Sequence, residues 1–206
     1  MSTIQNSDNT VKVDLILDAA QKRFGAFGLS KTTMQEIAND LNMSKGLLYY
    51  YFPDKEHLYK AVVTKEQNEF IKNFQDSASH VNDPEMLVTK YVELRLSYFK
   101  KLINLNRLSF EANLSINNVL ADVWVDFRKK EVEIVADILK NGKSQKIFNI
   151  HNIEETASIF VDVLKGLRMI EIHKKRIFYI DEDEYKMLEK KMLIFTEHFI
   201  KGLKYK

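Results

Sequence analysis

Apolar residues recur with helical spacing along almost the whole chain. From Val11 to Phe27 they fall at Ile16, Ala19, Ala20, Phe24 and Phe27, one face of a first helix that Gly28 is placed to end. Met34, Ile37, Ala38 and Leu41 then repeat at i, i+3, i+4 and i+7, with Gln35, Asn39 and Asp40 on the opposite, wet side. Thr33 and Glu36 have the spacing of a capping box, in which hydroxyl and carboxylate each take an unpaired amide of the first turn. Asn42 and Met43 turn the chain, and Ser44 is the N-cap of a second short helix, Lys45 to Tyr51. Only Leu48 there, and Phe52 after it, clearly belong inside. Tyr49, Tyr50 and Tyr51 make a poor surface unless something covers them.

The remaining pattern is also helical. Pro53 and Asp54 stop the second short helix, and Asp54 caps a fourth helix that starts at Lys55 and carries Leu58, Val62, Glu66, Phe70 and Phe74 to about Gln75. At roughly 30 Å such a helix is long enough to connect two halves. Residues 76–82 are a polar loop, and Asp83-Pro84-Glu85 opens a fifth helix with Leu87, Tyr91, Leu94, Tyr98 and Leu102 on one stripe. A sixth helix is expected near Arg107 to Val119 and a seventh near Ala121 to Lys140, ended by Asn141-Gly142; together they carry Phe110, Leu114, Trp124, Phe127, Ile134 and Ile138. Residues 143–151 form a longer connection. Asn152 and Glu155 then offer another capping box for an eighth helix, Ile153 to Lys174, with Ala157, Phe160, Val161, Leu164, Leu167 and Ile170. Residues 177–180, IFYI, are strand-like but stand alone. The acids from Asp181 to Glu184 open a ninth helix, whose Tyr185, Leu188, Met192, Phe195 and Phe199 share a face. The expected fold is all-α: an N-terminal three-helix helix-turn-helix domain followed by a helical bundle, about nine helices in all. Residues 1–9 are expected to be mobile, 10–54 to form the helix-turn-helix domain and 55–206 the bundle, with 55–75 as connector.

Composition narrows the function classes. The 206 residues are 45% hydrophobic and 29% charged, which suits a globular chain with ample core. The polar N-terminus has no apolar segment of a secretory signal, and no run of about 18 apolar residues is present, so a cytoplasmic protein off the membrane is expected. The absence of cysteine excludes disulfides, thiol catalysis and thiolate zinc sites. There is no HExxH, no Glu-x-x-His pair and no Gly-rich phosphate loop, and the five histidines are scattered at 57, 80, 151, 173 and 198. Neither catalytic residues nor a metal or cofactor is expected.

Two short helices joined by a tight turn are the arrangement in which the second helix enters the DNA major groove by its N-terminal end. Bulk charge does not argue for nucleic acid, because residues 1–60 carry seven Lys and Arg against seven Asp and Glu. The cations that matter are Lys45 and Lys55, beside the second short helix. Lys55 sits in the first turn of its helix, where a cation opposes the macrodipole, so it needs another reason to be there.

The stretch from about Ile16 to Leu58 resembles the DNA-binding domain of the tetracycline-repressor (TetR) family. The resemblance rests on Ile16-Leu17, Asp18, Ala19-Ala20, Phe24, Gly28, Thr32-Thr33, Ile37-Ala38, MSKGLLYYYF at 43–52 and DKEHL at 54–58. One departure is Arg23, at a position commonly aliphatic in that family; it can snorkel or reach a phosphate. The resemblance implies a dimeric regulator, most simply a ligand-responsive repressor, on a near-palindromic double-stranded operator. It implies base reading by Lys45, Gly46, Leu47 and Tyr49, and phosphate contacts from Thr33, Ser44, Tyr50 and Lys55. Packing of the tyrosines onto neighbouring helices is the alternative, and is preferred for Tyr51.

The resemblance further implies an effector pocket in the bundle, for which Tyr91, Tyr98, Phe99, Phe110, Glu111, Trp124 and Phe127 are candidates, although each aromatic, taken singly, is more often core than ligand contact. A hydrophobic or planar small molecule would suit such a lining. Helices eight and nine of two copies would form a homodimer contact through Phe160, Leu164, Gly166, Leu167, Leu188, Met192, Phe195 and Phe199. Gly166, in mid-helix, would allow the close approach. Two other readings stay open: a bundle gated by a protein partner instead of a small molecule, and an all-α enzyme.

Overall fold

The computed structural model describes residues 2–101, 114–174 and 182–204. Among them are eight α-helices: α1 Ser2–Lys31, α2 Met34–Asp40, α3 Lys45–Tyr51, α4 Lys55–Ala78, α5 Pro84–Lys101, α6 Leu114–Ser144, α7 Ile153–Lys174 and α8 Glu182–Leu203. The all-α expectation holds. Residues 107–113 of the expected sixth helix, with Phe110 and Glu111, lie outside the described residues, as does the strand-like stretch 177–180. Leu114 to Val119 are not a separate helix but the first turns of α6, because no Gly or Pro separates them from Ala121. Helix α6 also runs past Asn141-Gly142 to Ser144. At the other end of the chain α1 begins at Ser2, so the helix takes in residues expected to precede it.

The chain divides into two compact units: residues 1–69 with 102–123, and residues 70–101 with 124–206. The division falls inside α4, after Glu69, and inside α6, after Val123.

In the first unit Ile16, Leu17, Ala20, Phe24, Leu29, Met34, Ile37, Ala38, Leu48, Leu58, Tyr59 and Val62 are buried, with Phe24 edge-on to Tyr59 at 5.3 Å. Phe27, expected on the inner face of the first helix, is 54% exposed under the Arg23 guanidinium. The reason is Gly28, whose φ of 78° and ψ of 165° are open only to glycine. The helix breaks there, and Leu29 takes the interior place instead.

In the second unit α5 packs against α8, and α8 against α7. Phe160 of α7 stacks on Phe195 and Phe199 of α8, with centroids 5.7 and 4.3 Å away. The connection after α6 is closed by backbone bonds: Ile147 and Phe148 both donate to the Gly142 carbonyl, and Asn149 donates to that of Leu203 at 2.6 Å. Phe148 is fully buried against Gly142, where an added Cβ would lie 2.1 Å from the ring. That contact, not helix termination, is what Gly142 is for. Asn152 caps α7 by accepting from the Glu155 amide at 3.2 Å.

Candidate nucleic-acid interface

The helix pair α2–α3 is built by local chemistry. The capping box is complete: the Glu36 amide donates to Thr33 Oγ1 at 3.2 Å, and the Thr33 amide donates to Glu36 Oε2 at 2.8 Å. Thr33 Oγ1 also donates to Glu36 Oε2, which lowers the pKa of that carboxyl. At the far end of α2, Asn42 adopts φ 50°; its amide reaches the Asn39 carbonyl and that of Met43 reaches Ala38. This 6→1 and 5→2 pair is a Schellman closure, and Asn accepts the left-handed geometry better than most residues. Ser44 then caps α3, its Oγ accepting from the Leu47 amide at 3.2 Å.

The outcome is a helix held by one buried side chain, Leu48, with almost everything else turned outward. Lys45 and Gly46 are exposed, as are Leu47, Tyr49 and Tyr50, the last at 78%. An added Cβ at Gly46 would meet nothing within 4 Å, so the backbone itself is approachable there. Lys45 Nζ lies 5.7 Å from the Tyr49 ring, which steadies both on one surface. Tyr51 is half-buried and edge-on to Tyr50 at 5.3 Å.

Two cations have structural work. Lys55 Nζ donates to the carbonyls of Leu29 and Thr32 at 2.7 and 2.9 Å, closing the chain where α1 ends. A reason for a lysine in a first helical turn is therefore present in the fold, in two backbone carbonyls. Arg23 makes a two-pronged pair with Asp40, at 2.6 and 2.7 Å, which ties α1 to α2 and lowers the Asp40 pKa. At the start of α4, Asp54 accepts from the amide and ring of His57.

The five effector-pocket candidates among the described residues lie in the second unit. Tyr91, Tyr98, Phe99 and Phe127 are all buried, and Tyr91, Tyr98 and Phe127 surround Phe70 with centroids 5.5 to 6.0 Å away. Trp124 is half-buried, and its indole N–H has no hydrogen-bond partner among the described residues. A solvent-open groove of about 750 Å3 lies elsewhere in this unit, between α5 and α8, lined by Met86, Thr89, Glu93, Leu193, Thr196 and Ile200 among others; none of the candidates lines it.

Three charged residues in the interior went unforeseen. Arg95 donates to Glu131 Oε1 at 2.6 Å and lies over the rings of Phe70 and Phe127. Tyr91 donates its hydroxyl to the same oxygen at 2.9 Å, and burial together with that carboxylate raises its pKa well above 10. Arg168 is 5% exposed over Phe99, and burial beside Arg95 pushes its pKa down to about 10, which leaves it charged at neutral pH. A signal existed: Arg95 is four residues from both Tyr91 and Phe99, Glu131 four from Phe127, and Arg168 four from Leu164, all on apolar stripes.

Of the dimer candidates, Phe160, Leu164, Leu188 and Met192 are buried within the protomer, and Leu167, Phe195 and Phe199 are half-buried. Among the described residues, the exposed large apolar side chains of α7 and α8 are Ile159, Ile170, Met187 and Ile194. At Gly166 no atom lies within 4 Å of an added Cβ, so packing inside the protomer does not account for it.

Comparison with known proteins agrees with this geometry. Residues 16–62 match the model of the bacterial regulatory proteins, tetR family. A transcriptional regulator of Cytophaga hutchinsonii, known from its crystal structure, is 42% identical, with a TM-score of 0.86 over 94% of this chain and 99% of that one. The regulator QacR of Staphylococcus aureus is 23% identical over 92% of this chain and 97% of its own length. YhgD of Bacillus subtilis, an HTH-type transcriptional regulator, is 31% identical over 51% of this chain; the match spans 54%, about half, of that relative. No described helix is long and apolar enough to cross a membrane. A capped helix pair with an outward-facing second helix, inside a fold shared over nearly its whole length with a transcriptional regulator, leads to one conclusion: the chain belongs to the TetR family of bacterial regulatory proteins, and is a DNA-binding transcriptional regulator, not an enzyme.

Proposed function

We propose that the protein is a cytoplasmic, ligand-responsive repressor that binds a near-palindromic operator as a homodimer. The observation that carries this reading is α3, a helix with one buried residue and an outward face of Lys45, Gly46, Leu47, Tyr49 and Tyr50. Lys45, Leu47 and Tyr49 read bases, Leu47 through a thymine methyl, and Gly46 lets the backbone approach. Thr33, Ser44 and Tyr50 hold phosphates and set the register. A second copy covers the outer face of α7 and α8 at Ile159, Ile170, Met187 and Ile194, with Gly166 at the contact. Two α3 helices then enter major grooves about 34 to 36 Å apart. A hydrophobic or aromatic effector in the second unit favours another spacing; a coupling of about 1 to 3 kcal/mol changes operator affinity about 5- to 150-fold.

The test is a fluorescence-anisotropy titration against DNA selected from a random pool, at two salt concentrations, beside Lys45→Ala and Tyr49→Ala. Enrichment of a palindrome, with binding weakened by about 1 to 3 kcal/mol in each variant, is the expected result. A folded dimer that enriches no sequence would overturn the reading.

A further inference from the structure

Among the described residues Arg168 is the one buried cation. The charged and polar groups that act on it among the described residues are Arg95, Glu131 and the Tyr91 hydroxyl. Arg95, Glu131 and Tyr91 form a closed trio, because both donors converge on Glu131 Oε1. Arg168 stands outside it. The side chain is buried over the Phe99 ring, and its Nη1 has no hydrogen-bond partner. A guanidinium N–H buried without an acceptor is destabilising, and a hydrocarbon side chain of similar volume would remove that cost. A structural arginine would have a carboxylate or a set of carbonyls around it, as Arg23 has Asp40.

Resting on the ligand-responsive reading above, we propose that the effector is an organic carboxylate on an apolar or planar body, whose charged end pairs with Arg168 beside Phe99. A guanidinium fork matches the two oxygens of a carboxylate. The aromatic side chains Phe99, Phe70 and Phe127 suit the body of such a ligand better than a sugar or a peptide. The Trp124 indole N–H, buried in the same unit and on the face of α6 that carries Phe127 and Glu131, is a second donor awaiting an acceptor.

The test uses the full-length protein and matched probes: benzoate and octanoate, their neutral amides benzamide and octanamide, octylamine, and inorganic phosphate. Thermal shift and calorimetry are run on wild type, Arg168→Met and Arg168→Lys, with operator release as a second readout. The expected result is that the carboxylates bind at least tenfold more tightly than their amides and that octylamine and phosphate do not bind. Arg168→Met should lose that preference while melting no lower than unliganded wild type. Carboxylate and amide pairs are compared in wild type, so the result does not depend on either variant folding. Equal binding of carboxylates and amides, or an unchanged preference in Arg168→Met, overturns the anionic class and leaves a ligand-gated regulator standing. If no probe of any charge binds and operator affinity is intact, the anionic proposal and the effector reading both fall.

Discussion

Lys55 Nζ donates to the Leu29 carbonyl at 2.7 Å, across 26 residues of sequence, and so joins the first turn of α4 to the end of α1. The lysine also takes the Thr32 carbonyl, which makes it a cap for chain that Gly28 has broken out of the helix. Replacing Lys55 with Met should cost about 1.5 to 3 kcal/mol of stability, the range for hydrogen bonds to a charged group. The salt dependence of operator binding should stay the same, whereas loss of a phosphate-contacting lysine would reduce the slope by about 1. Urea unfolding and anisotropy at several salt concentrations check both halves.

Two glycines separate folding from recognition. Gly142→Ala places a Cβ 2.1 Å from the Phe148 ring and should destabilise the protein by about 1 to 3 kcal/mol, with operator affinity per folded molecule unchanged. Gly46→Ala meets open space, so stability should be unchanged or rise by up to about 1 kcal/mol while operator affinity falls. Melting temperature and DNA titration on the two variants give opposite patterns.

The Arg23–Asp40 pair predicts acid sensitivity of the first unit. Hydrogen bonding from Arg23 holds the Asp40 carboxyl below its ordinary 3.8, so its contribution is complete above that value and is lost as pH falls through the lower folded value. Glu36 shifts the same way, held by Thr33. Asp40→Asn should therefore be less stable than wild type at pH 7, and the gap should close on acidification below about pH 4. Denaturant midpoints measured from pH 7 down to pH 2 decide it.

Breaking the buried trio should be expensive. Glu131→Ala leaves Arg95 and Tyr91 without their shared acceptor and should cost about 3 to 5 kcal/mol. Adding Arg95→Met removes the stranded charge and should restore part of that loss. A double-mutant cycle in urea measures the coupling.

Local chemistry was readable before any coordinates: the Thr33–Glu36 box, the Ser44 cap, the turn at Asn42 and the single inward residue of α3 involve groups within about five residues, so spacing alone specifies them. Long-range pairing was not. The partners of Lys55 and Arg23 lie 26 and 17 residues away, and Arg95 and Glu131 are 36 apart; sequence spacing carries no record of which faces will meet. Phe27 lies outside and Leu29 inside for the same reason, since one dihedral at Gly28 redirects everything after it. The sequence by itself determined an all-α chain with an outward recognition helix, because helical periodicity and caps are properties of neighbours. The tertiary structure alone decided which charges were to be buried together, since burial depends on the elements that close over a side chain and not on the side chain itself.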